Sequence, residues 1–564
     1  MRVYNINKAI GYASSGVEYA QMYRRDLLAT IDWVDPFYVF TDYIHTNPCV
    51  FTDLTGFERA TVLWIYNLVT GRPTAPCTLT VEAFLASLTG PYEVQQTFTN
   101  GCDVVMTSQP IRYQIRTVNT PDGRFVNHID TAVDGVLLRA DHYDSTLNHV
   151  EHFHGGRLVR RDFYTEDGCL AAWQTYTADR DIVRTTITPA SPLYDAGAGP
   201  SATVSRHRDR PASFGGDILL EGRVQFFQYV FARLWDRPDD VIIVDRALDV
   251  IDGIYPAIGD HRLYSIVHAE HYDLKHWDDG VLLWNNHYEN VFMRPDYVDG
   301  LVVSTRRQAD LLEDQLTQCY PGREIPIATI PVGTVTQPAS VDDYDRNAIV
   351  TASRLADEKH LDWLVRAVAI ARKTFPDLRL DIYGEGKRDL LVATIADTGT
   401  QDCVRLMGHQ PLDGLLTGYA LYASASTSEG FGLSLLEALS QGLPIIGFDV
   451  DYGNREMVTP GVNGLLVPRQ ASDDANITAL ATAIIDTLTH PDLDQWRQAS
   501  LRAADTYTSA HVQTLWEALL RPDHSPAAAP PDTEPVDTAS ANSASANSAS
   551  TQTLPHGRHA AATS

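Results

Sequence analysis

The sequence lacks long hydrophobic runs, has few cysteines and is short of basic residues. No stretch approaches the ~18 apolar residues that a transmembrane helix needs. The N-terminus, MRVYNINKAIGYASSG, has no basic region followed by an apolar one, which argues against a secretory signal. The 6 cysteines are scattered without a CxxC pair, as is typical of reduced thiols. We therefore expect a cytoplasmic protein without disulfides.

Basic residues are outnumbered by acidic ones, 44 against 72, so the formal net charge is −28. This charge repels phosphate backbones and anionic lipids, so we expect neither nucleic acid nor a bare anionic membrane as a partner. It also weighs against a polyanionic substrate, although a local basic cleft is compatible with it. Solubility alone would equally explain the charge.

What the sequence does contain is enough apolar residues, 44% of the 564, for several large cores. Buried-strand and helical patterns alternate over 1–77 and 216–340, and a second such unit covers 341–500. These patterns predict an α/β fold in which two Rossmann-like units face a cleft. Ligands of such units bind at the carboxyl ends of the strands.

Residues 78–215 have a different hydrophobic pattern. Short alternating runs such as RFVNHID are separated by turn signals, which is typical of an antiparallel β-meander. We interpret this region as a β domain inserted into the first unit. A final helix is expected at 501–521, and the Ala/Ser/Pro-rich residues 522–564 are expected to form a disordered tail.

The segment TSEGFGLSLLEA carries two glutamates eight residues apart, Glu429 and Glu437. It follows the apolar strand ALYASAS and enters a helix, whose free N–H groups suit a phosphate. Glu437 could accept hydrogen bonds from a ribose, and Glu429 from a second sugar beyond the phosphate. Together these groups describe a nucleotide sugar site. The plain alternative is a solvated helix with two surface glutamates.

Two more clusters follow predicted strands. Arg354 and Lys359, in SRLADEKH, could neutralise a leaving diphosphate without a metal. His268, in HAEHY, could orient a donor sugar or support its developing positive charge. Ordinary loop charges and a structural histidine are the alternatives.

Two other patterns are less specific. The loop GYASSGVEYA, with Gly11 and Gly16, could cradle a phosphate or sugar, or be a tight turn; it does not match GxGxxG. In HVEHFH, which contains His149, His152 and His154, the last two would share a strand face, but no other ligand cluster completes a site. We expect no metal.

Taken together, these segments resemble a known family. TSEGFGLSLLEA is similar to the E-x7-E motif of retaining GT-B glycosyltransferases of family 4, and Arg354 with Lys359 resembles that family's diphosphate-binding pair. The resemblance narrows to the GtfA family of accessory Sec system glycosyltransferases over about residues 1–520. The resemblance is weakest in the β insertion, and the tail has no counterpart in the family. The segments that carry it are NINKAIGYASSGVEYAQMYR, VHAEHY, LWNNHYENVF, VSTRRQ, TASRLADEKHLDWLVRAV and SEGFGLSLLEALSQGLPIIGFDVDYGN.

The resemblance implies a GT-B fold in which the first unit lies on the acceptor side and the second binds the donor. It also implies transfer of N-acetylglucosamine from UDP-N-acetylglucosamine to Ser or Thr hydroxyls of a serine-rich repeat adhesin. The anomeric configuration would be retained, with no cofactor. A non-catalytic GtfB-type partner would bind the acceptor, pair through the β insertion and bring the enzyme to the inner face of the cell membrane.

The resemblance also implies residue roles. Glu437 would bind the ribose, Arg354 and Lys359 the diphosphate, and His268 would lie near the donor sugar. The remaining donor-binding positions would be Gly16, Gly408 and His409 (the last two at the uracil), with Glu429, Gly430, Phe431, Gly432 and Leu433 at the sugar and phosphate.

Two other functions stay open. A non-catalytic acceptor-binding subunit would share the fold and insertion but would not need the donor residues, which are present here. A poly(polyol-phosphate) wall teichoic acid α-glycosyltransferase carries a similar insertion, and the net charge weighs mildly against its acceptor. The repeat ASANSASANSAS in the tail itself resembles a Ser-rich acceptor and suggests self-glycosylation, although a plain tail is the simpler interpretation.

Overall fold

Three β-sheets organise the part of the chain that the computed structural model describes, which is residues 1–11, 16–120, 122–195, 212–214, 216–246, 250–273, 281–335 and 343–521. All of these residues belong to one unit by their contacts. The predicted tail at 522–564 and residues 12–15 of the N-terminal loop lie outside the described residues.

The N-terminal sheet has seven parallel strands. Its central strand Val241–Val244 is buried at every position. An uninterrupted run of β-branched residues is typical of a parallel strand that is covered on both faces. In spatial order the strands are Ile327–Thr329, Gly300–Val303, Arg262–Val267, Val241–Val244, Arg2–Asn7, Asp35–Phe40 and Val62–Trp64.

The inserted sheet is an antiparallel meander of eleven described strands. Its strand Asp217–Glu221 pairs with Ile182–Ile187, so the insertion extends past the boundary predicted at 215. The reason is that this strand continues the hydrogen-bonded ladder before the chain enters the next helix. Along the chain the strands are Tyr92–Phe98, Gly101–Met106, Ile111–Thr120, Gly123–Val133, Val136–Tyr143, Leu147–His154, Arg157–Tyr164, Leu170–Tyr176, Ile182–Ile187, Ala212–Phe214 and Asp217–Glu221.

The inserted sheet shares a core with the N-terminal unit. Tyr66, from the N-terminal unit, stacks on Phe163 of the inserted sheet with ring centroids 5.1 Å apart, and on Phe226 at 5.8 Å. Arg72 and Asp144 form a buried ion pair across the same junction. The meander is therefore joined to the first unit by packing as well as by the chain.

The C-terminal sheet has six parallel strands. In spatial order they are Val404–Gly408, Arg379–Tyr383, Asp345–Ala352, Tyr419–Ala423, Ile445–Phe448 and Gly464–Val467. Apolar clusters cover both faces of this sheet, as in a doubly wound fold.

Helices flank the two parallel sheets. The last one, Ser509–Leu520, returns to the N-terminal unit, where Trp516 and Leu520 share a core with Val3 and Leu27. Within the described ranges, no helix combines the length and apolar character needed to cross a bilayer. Among the described residues, the α-helices are Gly16–Leu28, Pro48–Thr55, Ile65–Thr70, Val81–Ser87, Gly222–Phe231, Ile251–Ile254, Glu289–Phe292, Arg306–Cys319, Leu361–Ala371, Asp389–Thr398, Leu433–Ser440, Gly453–Met457, Asp473–Thr489, Leu493–Ala504 and Ser509–Leu520.

The prediction of two Rossmann-like units with an inserted antiparallel β region is thus confirmed. The carboxyl ends of strands from both parallel sheets lead into the loops that the sequence singles out.

Candidate active site

Two of the predicted motifs meet where the N-terminal and C-terminal units touch. A Cβ added to Gly430 would lie 2.5 Å from the carbonyl oxygen of His268. Next to this contact, the Ser428 hydroxyl donates to Glu270 Oε2 at 3.2 Å. The absence of a side chain at Gly430 is therefore what lets the glutamate-bearing loop lie against the strand exit that carries His268.

Lys359 and Glu429 form an ion pair in the C-terminal unit. Lys359 Nζ lies 2.5 Å from Glu429 Oε1 and 3.3 Å from Ser426 Oγ. Both side chains are 15% exposed, so the charges are partly withdrawn from water while the site stays accessible. Charge-assisted hydrogen bonds of this kind are strong and orient both groups. The pair joins two segments that the sequence analysis treated separately.

Arg354 takes a different partner. Its guanidinium donates to Glu358 at 3.1 Å and the side chain is 59% exposed. The two cations predicted as a diphosphate-binding pair are thus each held by a different glutamate in this structure. Arg354 is free to reorient because a pair this exposed is worth little energetically.

The His268 side chain belongs to a buried charge network. His268 Nε2 lies 2.6 Å from Asp245 Oδ1, and Asp245 also binds the Arg24 guanidinium, with Arg24 Nη1 3.0 Å away. Although burial alone would raise it, the pKa of Asp245 is lowered to about 2 by Arg24 and by the hydrogen bond from His268. The ionised carboxylate fixes the imidazole through Nε2.

Asp245 and Arg24 are functional candidates that the sequence analysis missed. Asp245 directly follows the buried strand Val241–Val244, so its position after a strand is the signal that could have found it. Tyr288 was missed too: its hydroxyl accepts hydrogen bonds from the N–H groups of His268 and Ala269, at 3.0 and 3.1 Å. These contacts hold the strand exit in place.

The helix start that was predicted to suit a phosphate begins at Gly432, which has a φ of +85° and precedes the helix Leu433–Ser440. No side chain caps this helix, so its first N–H groups are available to an anion. Phe431 is 4% exposed and its ring packs edge-on against Tyr507. Phe431 can therefore serve a ligand only through its backbone.

Glu437 lies on the same helix and faces the N-terminal unit. Burial, and then the nearby Asp413 carboxylate, raise the pKa of Glu437 to about 7. After burial, Glu437 is also a cause of the raised pKa of Tyr19 and of Tyr23 on the helix Gly16–Leu28. The carboxyl group therefore lies between the two units, in surroundings that disfavour its charge.

The remaining predicted positions lie at the ends of elements. Gly408 ends the strand Val404–Gly408 with a φ of +72°, and its carbonyl accepts the Gly384 N–H at 2.9 Å. His409 follows it and is exposed. Gly16 begins the first long helix, and an added Cβ there would meet nothing within 4 Å.

The three histidines of HVEHFH do not converge on one point. His149 is buried and lies 2.8 Å from the Tyr43 hydroxyl, while His152 pairs with Asp162 at 2.9 Å and His154 is exposed.

A protein-family model matches part of the chain. The model of the family described as "Glycosyl transferases group 1" matches residues 346–490, which cover most of the C-terminal unit. Among curated proteins, the "UDP-N-acetylglucosamine--peptide N-acetylglucosaminyltransferase GtfA subunit" of Streptococcus gordonii is 34% identical over 528 residues. That alignment covers 92% of this chain and 98% of the relative.

Two solved structures are similar to this chain over the same share of its length. The structure of "the pneumococcal O-GlcNAc transferase GtfA in complex with UDP and GlcNAc" superimposes with a TM-score of 0.79 at 32% identity, covering 92% of this chain and 98% of that one. A "GtfA/B complex" structure gives a TM-score of 0.80 at 34% identity, covering 92% and 99%.

Proposed function

The chain belongs to the GtfA family of UDP-N-acetylglucosamine–peptide N-acetylglucosaminyltransferase subunits, and we propose that it transfers N-acetylglucosamine to Ser or Thr hydroxyls of a serine-rich repeat adhesin. It is a glycosyltransferase with the GT-B fold. The observation that carries the proposal is the Lys359–Glu429 pair, set beside an uncapped helix start and against the backbone of His268.

The donor fits this arrangement group by group. A diphosphate would take hydrogen bonds from the first N–H groups of the helix Leu433–Ser440 and positive charge from Lys359 and Arg354. Glu429, fixed by Lys359, would accept hydrogen bonds from sugar hydroxyls. Glu437 would accept them from the ribose, and the backbone at Gly408 and His409 would contact the uracil.

Departure of UDP is the step that the cations would assist. As the bond between the anomeric carbon and the phosphate oxygen breaks, negative charge grows on the diphosphate and positive charge on the sugar. Lys359, with Arg354 turned toward the same phosphates, would stabilise the leaving group. The Asp245 carboxylate, hydrogen-bonded to His268, would lie on the sugar side and favour the developing cation.

Retention of configuration follows if the acceptor attacks from the face that UDP leaves. The departing phosphate oxygen would take the proton of the Ser or Thr hydroxyl on that face. Glu429 is held by Lys359 and serves as a hydrogen-bond acceptor, with no need for a protein nucleophile. A trapped glycosyl adduct on a carboxylate would contradict this step.

The acceptor and the partner subunit are inferred from the family to which the chain belongs. A GtfB-type partner subunit is supported by a relative that has been solved as a GtfA/B complex. This non-catalytic subunit would bind the adhesin and pair with the inserted sheet. The pair would work in the cytoplasm for the accessory Sec system, peripherally on the inner face of the cell membrane. The partner would supply that membrane contact, because the −28 net charge of this chain disfavours anionic lipid.

A competition between acceptors tests the proposal. The chain and its partner subunit receive labelled UDP-N-acetylglucosamine with a Ser-rich peptide and a poly(polyol phosphate) together. We expect label in the peptide. Label only in the polyol phosphate would assign the chain to wall teichoic acid glycosylation, and absence of any donor turnover would favour a non-catalytic binding subunit.

A further inference from the structure

A second cluster of side chains that could bind a ligand lies outside the cleft, where the inserted sheet meets the N-terminal unit. One ligand atom each from His45, His142 and Glu151 lies within 4.8 Å of the other two. Glu151 Oε2 is 3.1 Å from His142 Nε2 and 3.6 Å from His45 Nδ1. Neither the donor nor the transfer step uses these residues.

Two layers of the fold build this cluster. His142 and Glu151 come from neighbouring antiparallel strands, Val136–Tyr143 and Leu147–His154. Ala140 is opposite Glu151 in the register, so His142, two residues further along, shares its sheet face. His45 comes from the loop after the strand Asp35–Phe40 of the N-terminal sheet. This loop is anchored to the inserted sheet, because the Asn127 amide donates to the His45 carbonyl at 3.1 Å.

These three side chains are ligands that suit a divalent transition metal. Two imidazoles and one carboxylate are a three-ligand set that zinc takes in proteins, with a fourth position left for water. Arg161 binds Glu151 through Oε1, at 2.8 and 2.9 Å, and so leaves Oε2 on the side of the two histidines.

A cavity beside the ligand atoms offers room for the fourth ligand. Its volume is about 260 Å³, enough for several waters. Besides the three ligands it is lined by His128 and Asp130, which could bind such waters, and by Arg180, whose positive charge opposes a cation. The rest of the lining is Leu137, Phe153 and Leu158.

We propose that His45, His142 and Glu151 bind a divalent transition metal that links the inserted sheet to the N-terminal unit. The ligand types favour zinc. The site is separate from catalysis. A metal that holds ligands from both layers would favour the folded junction over any state in which the layers separate.

Cobalt binding tests the site directly. The tag-free full-length chain is treated with EDTA, dialysed and titrated with Co²⁺, which reports tetrahedral coordination through its visible absorption. We expect one Co²⁺ per chain, displaced by Zn²⁺, and at least a tenfold weaker affinity in His45→Ala. His45 suits the test because its side chain is 56% exposed, so its removal leaves the fold intact.

His154→Ala is the matched control, since His154 is an exposed histidine on the same strand as Glu151. It should bind Co²⁺ like the wild type. Absence of saturable binding, or equal affinities in His45→Ala and the wild type, would overturn the proposal. Transfer from UDP-N-acetylglucosamine should persist in His45→Ala, which separates failure of the metal site from failure of the proposed function.

Discussion

Lys359 Nζ and Glu429 Oε1 lie 2.5 Å apart although the residues are 70 positions apart in the sequence. The lysine comes from the loop after the strand Asp345–Ala352 and the glutamate from the loop after Tyr419–Ala423. These strands are neighbours in the C-terminal sheet, so their carboxyl ends bring the two charges together. In the proposed function, the pair would provide a cation for the leaving diphosphate and a fixed acceptor for the sugar.

Removing the cation should impair transfer. We expect Lys359→Ala to lower kcat for transfer by about 10²- to 10³-fold, equivalent to about 3–4 kcal/mol of lost transition-state stabilisation. The assay is release of UDP from UDP-N-acetylglucosamine with acceptor present. Lys373→Ala, at an exposed lysine on the same unit, is the control and should match the wild type. Equal rates in all three proteins would remove Lys359 from the mechanism.

Adding one methyl group at the contact between the two units should also impair transfer. Gly430→Ala places Cβ 2.5 Å from the His268 carbonyl oxygen, so one backbone must move. A displacement near 1 Å at a reacting centre costs about 10²-fold in rate. Gly418→Ala is the control, because its Cβ would meet nothing within 4 Å. The account fails here if Gly430→Ala keeps wild-type kcat and KM.

Asp245 should matter for folding as well as for catalysis. Asp245→Asn would leave the Arg24 guanidinium, 3% exposed, without its buried counter-charge. Breaking such a pair costs about 3–5 kcal/mol. Asp402→Asn, which removes an exposed partner of Arg372, should cost about 1 kcal/mol or less. Urea unfolding of both variants tests the difference, and equal losses would contradict the buried network.

The stability effect of Glu437 should depend on pH. Its pKa in the folded chain is about 7, raised by burial and by Asp413, against an ordinary 4.5. The folded state therefore holds a proton that the unfolded state releases between about pH 4.5 and 7. Stability contributed by this group falls as pH rises through that window, and above it the buried charge costs on the order of 1–2 kcal/mol.

Glu437→Gln removes this titration. We therefore expect the variant to melt at a higher temperature than the wild type at pH 8 but not at pH 4.5. Thermal unfolding of both proteins at these pH values is the measurement. A difference in melting temperature that is the same at both would show that the carboxyl group does not titrate in this window.

The sequence was sufficient to predict the architecture because strands and turns are indicated by local residue patterns. Strands such as VIIV are continuous β-branched runs, and the meander alternates with period two between turn signals. The positions of His268, Lys359 and Glu429 followed from the same patterns, since residues after parallel strands gather at one edge of a sheet.

The pairings within the site could not be predicted, because they depend on which strands are neighbours and on side-chain directions. The sequence joined Lys359 to Arg354, whereas the structure joins it to Glu429. It did not place Asp245 beside His268, nor His45 beside His142, since these residues come from different strands or sheets. The end of the insertion was also missed by six residues, because Glu221 still belongs to a strand of the meander.

The intact mass of a Ser-rich acceptor tests the central claim most directly. The acceptor is incubated with this chain, its partner subunit and UDP-N-acetylglucosamine, and a parallel reaction contains Lys359→Ala. The account predicts mass increments of whole N-acetylhexosamine residues with the wild type and a loss of nearly all of them with the variant. An acceptor of unchanged mass, or equal modification by both proteins, would contradict it.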